Sequence, residues 1–121
     1  MNETIGFLGA GSMAEAMIAG LLKNRIYLPE SIIVTNRNNR DRLKQLAERY
    51  GVQIVTDKEV FLKRCSHLVL AMKPKDMPEA IAAIRPHLSP NQTLLSVAAG
   101  ISTAWLEEQS GLSIPVIRAM P

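Results

Sequence analysis

Cysteine is almost missing from this sequence of 121 residues, and Cys65 alone cannot close an internal disulfide. One cysteine and two histidines are too few for a structural zinc site. Aromatic residues make up 4%, which leaves few platforms for stacking single-stranded nucleic acid. No apolar run approaches the roughly 20 residues of a membrane span. The N-terminus carries no basic segment followed by an apolar stretch and a cleavage site. Charge runs, low-complexity tracts and Gly/Pro/Ser-rich linkers are also lacking, and the net charge of +3 is dispersed, so no nucleic-acid footprint is expected. There is no paired-acid arrangement, no nucleophile elbow and no metal-ligand spacing. Neither a catalytic residue nor a metal site is therefore assigned. What is present, 47% hydrophobic and 21% charged residues, is the composition of one globular domain, expected to be soluble and cytoplasmic, with no membrane partner.

Short apolar runs alternate with amphipathic segments along the chain. The runs are 4–8, 31–35, 52–55, 67–72, 92–97 and 114–117. They are continuously apolar and do not alternate apolar with polar residues, as expected of strands covered on both faces in a parallel sheet. Between them, Met13, Met17 and Leu21, with Ala14, Ile18 and Leu22, form one helical stripe. Leu43, Leu46, Ala47 and Tyr50 form a second, with Asn38 or Asn39 as N-cap and Gly51 as a left-handed C-cap. Met77, Ala80, Ile81 and Ile84 form a third, ended by Pro86. A further helix is read from Asp57 to Arg64, and another is capped by Ser102, holds Trp105 and Leu106 and stops at Gly111. Repeated strand–helix–strand units predict an α/β fold: a doubly wound, Rossmann-type parallel sheet of order 3-2-1-4-5-6 with helices on both faces.

Leu8-Gly9-Ala10-Gly11-Ser12-Met13-Ala14 falls between the first strand and the first helix and has the form G-x-G-x-x-A. Gly9 permits a tight turn out of the strand, Gly11 leaves space for a pyrophosphate, and Ala14 lets the helix lie close to the sheet. Free N–H groups from Gly11 to Met13 would supply donors and partial positive charge. A glycine turn that holds no ligand has the same pattern, and the strand–turn–helix context favours the ligand.

After the second strand a unit that binds NAD usually carries Asp or Glu for the ribose hydroxyls. Here the chain reads Thr35-Asn36-Arg37-Asn38-Asn39-Arg40, with no acid before Asp41. Asn36 can hydrogen-bond a 2′-phosphate and Arg37 can grip it with a forked set of donors, which favours NADP while leaving NAD possible. Arg40 could assist, or both arginines could be solvated charges at a helix start. Ligands in such sheets bind beyond the carboxyl ends of the strands. That directs attention to Ala71-Met72-Lys73-Pro74 and to Val97-Ala98-Ala99-Gly100, where small residues leave room for ribose and nicotinamide. Lys73 could donate to a ribose or amide oxygen, or stand solvated. Asp57 reads as a helix N-cap, and Cys65 as a partly buried structural thiol despite Lys63 and Arg64 beside it.

Ile5-Gly6-Phe7-Leu8-Gly9-Ala10-Gly11-Ser12-Met13-Ala14, Ala71-Met72-Lys73-Pro74, Ser96-Val97-Ala98-Ala99-Gly100-Ile101 and Ile117-Arg118-Ala119-Met120-Pro121 together resemble pyrroline-5-carboxylate reductase. The first motif is shared with β-hydroxyacid and 6-phosphogluconate dehydrogenases, which stand as an alternative, as does a non-catalytic nucleotide-binding regulatory module. The resemblance implies hydride transfer from NAD(P)H to the imine of pyrroline-5-carboxylate, giving L-proline. It implies cofactor contacts at Leu8, Gly9, Ala10, Gly11, Ser12, Met13, Thr35, Asn36, Ala71, Met72, Lys73, Pro74, Val97, Ala98 and Ala99; Arg37 is added on charge grounds. It also implies a longer, homo-oligomeric protein whose second, helical domain supplies dimerisation and most substrate contacts. On that basis residues 1–121 are expected to form the NAD(P)-binding domain, able to bind dinucleotide and nearly inactive alone.

Overall fold

The computed structural model describes residues 3–97 and the backbone of 116–118. Six strands form one sheet, and every neighbouring pair is parallel. They are β1 (Ile5–Leu8), β2 (Ile32–Thr35), β3 (Gln53–Ile54), β4 (His67–Leu70), β5 (Thr93–Ser96) and β6 (Val116–Arg118). The order is β3-β2-β1-β4-β5-β6, as the alternation of runs predicts. The helices are α1 (Ser12–Lys23), α2 (Arg40–Tyr50), α3 (Lys58–Arg64) and α4 (Met77–Ile84). The helix expected between Ser102 and Gly111 lies outside the described residues.

Strand pleating sorts the apolar runs onto two faces, because successive side chains point to opposite sides. On one face Ile5, Phe7, Ile32, Val34 and Val69 meet Ala14 and Ile18 of α1 and Leu43 and Leu46 of α2. On the other, Leu8, Ile33, Leu68, Leu70 and Leu94 meet Phe61 and Leu62 of α3 and Met77, Ile81 and Ile84 of α4. Gly6 belongs to this second face. A Cβ there would fall on Cys65 Sγ and 2.8 Å from Phe61 Cζ, both side chains being buried. Its missing side chain is what lets α3 settle against the centre of the sheet. Cys65 donates its Sγ–H to the Phe61 carbonyl at 3.1 Å, and burial pushes its thiol up to about 12, outweighing the neighbouring Arg64. It is a buried packing residue, despite the Lys63 and Arg64 that precede it.

Local chemistry sets the helix ends. Asn39, not Asn38, caps α2, its Oδ1 accepting from Arg42 N at 3.1 Å, and Gly51 ends that helix at φ 75°. Asp57 Oδ1 caps α3 through the amides of Glu59 and Val60. Helix α4 stops at Ile84, and Pro86 sits inside a single 3-10 turn, Arg85–His87, that follows it. Gln92, read from the sequence as part of the fifth strand, precedes it and acts as a clamp. Its Nε2 donates to the carbonyls of Leu62 and Cys65, and its Oε1 accepts from Ser89 N.

Helices α1 and α2 are joined by an ionic clasp. Glu15 Oε1 takes Arg42 Nη2 at 2.7 Å, while Oε2 takes Arg49 Nη1 at 2.8 Å and the Tyr50 hydroxyl at 2.7 Å. The hydrogen bonds from Tyr50, Arg42 and Arg49 hold the Glu15 carboxyl down at about 2, and the same bond raises Tyr50 above its ordinary value.

Gly6→Ala lowers stability in urea by about 1–3 kcal/mol, the range for overpacking a closed core. In the Gly6→Ala/Cys65→Ala double variant, removing Sγ relieves the overlap, so the loss is smaller than the sum of the singles. For Glu15 the folded carboxyl titrates below its ordinary 4.5, so its contribution is present above that value and lost as pH falls toward about 2. The urea midpoints of the wild type and Glu15→Gln should therefore differ by a constant amount from neutral pH down to about 5 and converge below it. A gap that persists unchanged at lower pH would rule out the ionised clasp as its source.

Candidate functional site

The site grows from the carboxyl ends of β1, β2 and β4. Strand order reverses at β1, which has β2 on one side and β4 on the other, and the crevice outside the strand ends at such a reversal is where ligands enter these sheets. The turn Gly9–Gly11 leaves β1 here. Gly9 lies at φ 113°, and a Cβ on it would stand 2.9 Å from the Ala71 backbone, so both conformation and the neighbouring strand end require glycine. Its N–H donates to the Thr35 carbonyl at 2.9 Å, and Ala71 N donates to the Leu8 carbonyl at 2.9 Å, which ties the three strand ends together. Gly11 is the N-cap of α1. No side chain caps that helix, and a Cβ on Gly11 would meet nothing within 4 Å. The first N–H groups of an α-helix have no intrahelical acceptor, so this end offers donors to open space.

Beside the turn is a cleft of about 190 Å³. Leu8, Gly9, Asn36, Arg37 and Met72 line it, five of the residues singled out from the sequence. Ala80, Ala83 and Ile84 of α4 add apolar wall, and Lys58, Asp76 and Glu79 add charge. A second, polar depression runs along residues 36–41 with Thr56 and Asp57. Ser12 and Met13 open α1, Ser12 being exposed. Ala10 is buried with α1 and α2 and contributes its carbonyl, not its side chain, to the turn. Ala71 and Met72 are partly buried, while Lys73 and Pro74 are exposed and begin a 3-10 turn leading into α4. Val97 follows β5 and donates its N–H to the Leu70 carbonyl at 3.3 Å. Ala98 and Ala99 lie outside the described residues.

The polar residues after β2 already have intramolecular partners. Asn36 closes its own loop, Nδ2 donating to the Asn39 carbonyl at 2.8 Å and Oδ1 accepting from Asn39 N at 3.2 Å. Arg37 pairs with Glu79 of α4 at 3.0 Å, with both side chains about two-thirds exposed. Thr35 is buried, and its hydroxyl accepts from Lys58 Nζ at 3.1 Å. Lys58 also donates to the Asn36 carbonyl at 2.7 Å and lines the cleft; desolvation pulls its pKa below the ordinary value. Lys58, Asp76 and Glu79 are the charged cleft residues that sequence reasoning passes over. Lys58 had a signal, being the residue after the Asp57 cap at the end of a strand that lies beside β2. Glu79 had none, since its place opposite Arg37 depends on how α4 docks. Among the described residues no group of acids, histidines or cysteine could hold a metal, and no helix is long and apolar enough to cross a membrane.

Comparison with known proteins points the same way. Residues 4–100 match the family described as NADP oxidoreductase coenzyme F420-dependent. The chain is 46% identical over 119 residues to pyrroline-5-carboxylate reductase 2 of Bacillus subtilis, covering 98% of this chain and 42% of that protein. Its fold superposes on a pyrroline-5-carboxylate reductase from Coxiella burnetii with a TM-score of 0.91 at 32% identity, over 100% of this chain and 44% of that one. A Plasmodium falciparum pyrroline carboxylate reductase solved with NADP bound shares the fold at a TM-score of 0.83 and 24% identity, over 99% of this chain and 42% of that one. The chain thus spans about two fifths of the length of the relatives it matches. It belongs to the family of NADP oxidoreductases described as coenzyme F420-dependent, and its relatives include pyrroline-5-carboxylate reductases.

Proposed function

We propose that this chain is the dinucleotide-binding part of a pyrroline-5-carboxylate reductase and that it holds NADPH in preference to NADH. The observation that carries the proposal is the uncapped N-terminus of α1, reached through a glycine turn that opens onto free space at the reversal of strand order. The names of the relatives supply the substrate class. The residues fit such a cofactor. Backbone donors of Gly11, Ser12 and Met13 would hold the pyrophosphate, and the apolar walls at Leu8, Ala80, Ala83 and Ile84 suit the adenine ring. Ala71, Met72, Lys73, Pro74, Val97, Ala98 and Ala99, after β4 and β5, would border the nicotinamide end.

Charge at the end of β2 supports the phosphorylated form. Where an acid would repel a 2′-phosphate, Lys58 brings an ammonium to the Thr35 hydroxyl and Asn36 carbonyl. Arg37 adds an exposed guanidinium that leaves Glu79 to meet the ligand. When bound, the cofactor supplies a hydride to the imine carbon. This domain would contribute by orienting the ring and fixing both ends of the dinucleotide.

Calorimetric titration with NADPH and NADH tests both parts. The wild type should bind NADPH more tightly. Arg37→Ala should weaken NADPH by about fivefold to tenfold, as expected for one charge-assisted contact at an exposed site, and leave NADH within about twofold. If neither dinucleotide binds, the dinucleotide function is wrong. A preference for NADH removes only the role given to Arg37 and Lys58.

A further inference from the structure

Arg42 stands on α2 behind the glycine turn, outside the cleft, and its contacts are with the turn's backbone. Its Nε donates to the Ala10 carbonyl at 2.6 Å and its Nη2 to the Gly11 carbonyl at 3.5 Å, while Nη2 also meets Glu15 Oε1 at 2.7 Å. In a trans peptide the C=O and the following N–H point in opposite directions. An Ala10 carbonyl turned toward Arg42 therefore sends the Gly11 N–H away from α2, to the open side of the turn. Gly11 has no side chain, and nothing stands within 4 Å of where its Cβ would be, so sterics alone do not hold this peptide in one orientation. The guanidinium does.

The same residue links two loops. Its backbone N–H donates to Asn39 Oδ1 at 3.1 Å, and Asn39 is in turn bound at both its N–H and its carbonyl by the Asn36 side chain. The turn after β1 and the loop after β2 are thus joined through one arginine. Arg42 and Arg49 also neutralise Glu15, an acid in the first turn of α1 whose free charge would oppose an anion at that helix end.

We infer that Arg42 is a positioning residue for the phosphate-binding turn: it locks the Ala10–Gly11 peptide so that the Gly11 N–H faces an incoming anion, and it fixes that turn to the 36–39 loop. The inference rests on the proposed dinucleotide function. Lysine cannot replace the fork, since one ammonium does not reach both carbonyls and Glu15 with the same planar geometry.

The test titrates the full chain with ADP-ribose, which carries the pyrophosphate without the nicotinamide, and follows amide resonances. In the wild type, binding should shift the Gly11 and Ser12 amides together with those of Ala80 and Ala83 on the adenine side. Arg42→Met should weaken ADP-ribose by about tenfold or more, the loss expected for donors no longer aimed at a charged group. At saturation, its Gly11 and Ser12 shifts should collapse while those at Ala80 and Ala83 persist. Arg42→Lys, which keeps the charge beside Glu15, should show the same split with a smaller loss, and it carries the test if the methionine variant does not fold. Affinity within about twofold of the wild type, or an equal loss of shifts at both ends of the cleft, overturns the positioning role. A wild type that binds neither ADP-ribose nor NADPH overturns it too, by removing the dinucleotide function beneath it.

Discussion

Strand β1 is hydrogen-bonded along both edges and buried on both faces, and the rest of the molecule is arranged around it. Its four residues set the register of β2 and β4, and through them of β3 and β5. Because both faces are closed, a residue at Gly6 has no room for a side chain, and the chain can become polar only where the strand ends. The carboxyl end of β1 is therefore the place where backbone donors meet solvent. The donors are there because the helix that follows begins without a side-chain cap.

Around that point, charge is distributed in layers. Backbone dipoles of α1 face the open side of the turn. Behind them an acid, Glu15, is held ionised by two arginines and a tyrosine, so its charge is spent inside the protein. To one side, Lys58 is drawn partly out of solvent and held by a hydroxyl and a carbonyl at the end of β2. Farther out, Arg37 and Glu79 meet across the cleft in an exposed pair, an arrangement worth little in itself and easily exchanged for a ligand. The tightly held charges fix backbone, and the loosely held one is free to change partner.

Much of this was legible in the chain. Continuous apolar runs and helical stripes predicted the parallel sheet and its order, since a strand covered on both faces cannot alternate apolar with polar residues. The G-x-G-x-x-A turn, the Asp57 and Gly51 caps and the packing role of Cys65 were likewise readable, each being a local matter of one residue and its immediate neighbours. Element ends were less so: β3 is the pair Gln53–Ile54, shorter than the apolar run around it, because pairing with β2 extends only that far. The roles of Glu79 and Arg42 were not legible, since each acts on atoms that the fold brings to it from another unit, and Lys58 showed only its place after the Asp57 cap.

Which segments are buried, and where a glycine turn opens onto a helix, is set along the chain, because periodicity and backbone freedom are properties of neighbouring residues. Which charged side chains serve that turn depends on packing between elements distant in the chain. Arg42 reaches Ala10 and Glu15 because α2 packs against α1, and Arg37 meets Glu79 because α4 docks over the opposite face of the sheet. Those pairings follow from how each helix seats its side chains against a neighbouring unit, which no local pattern encodes.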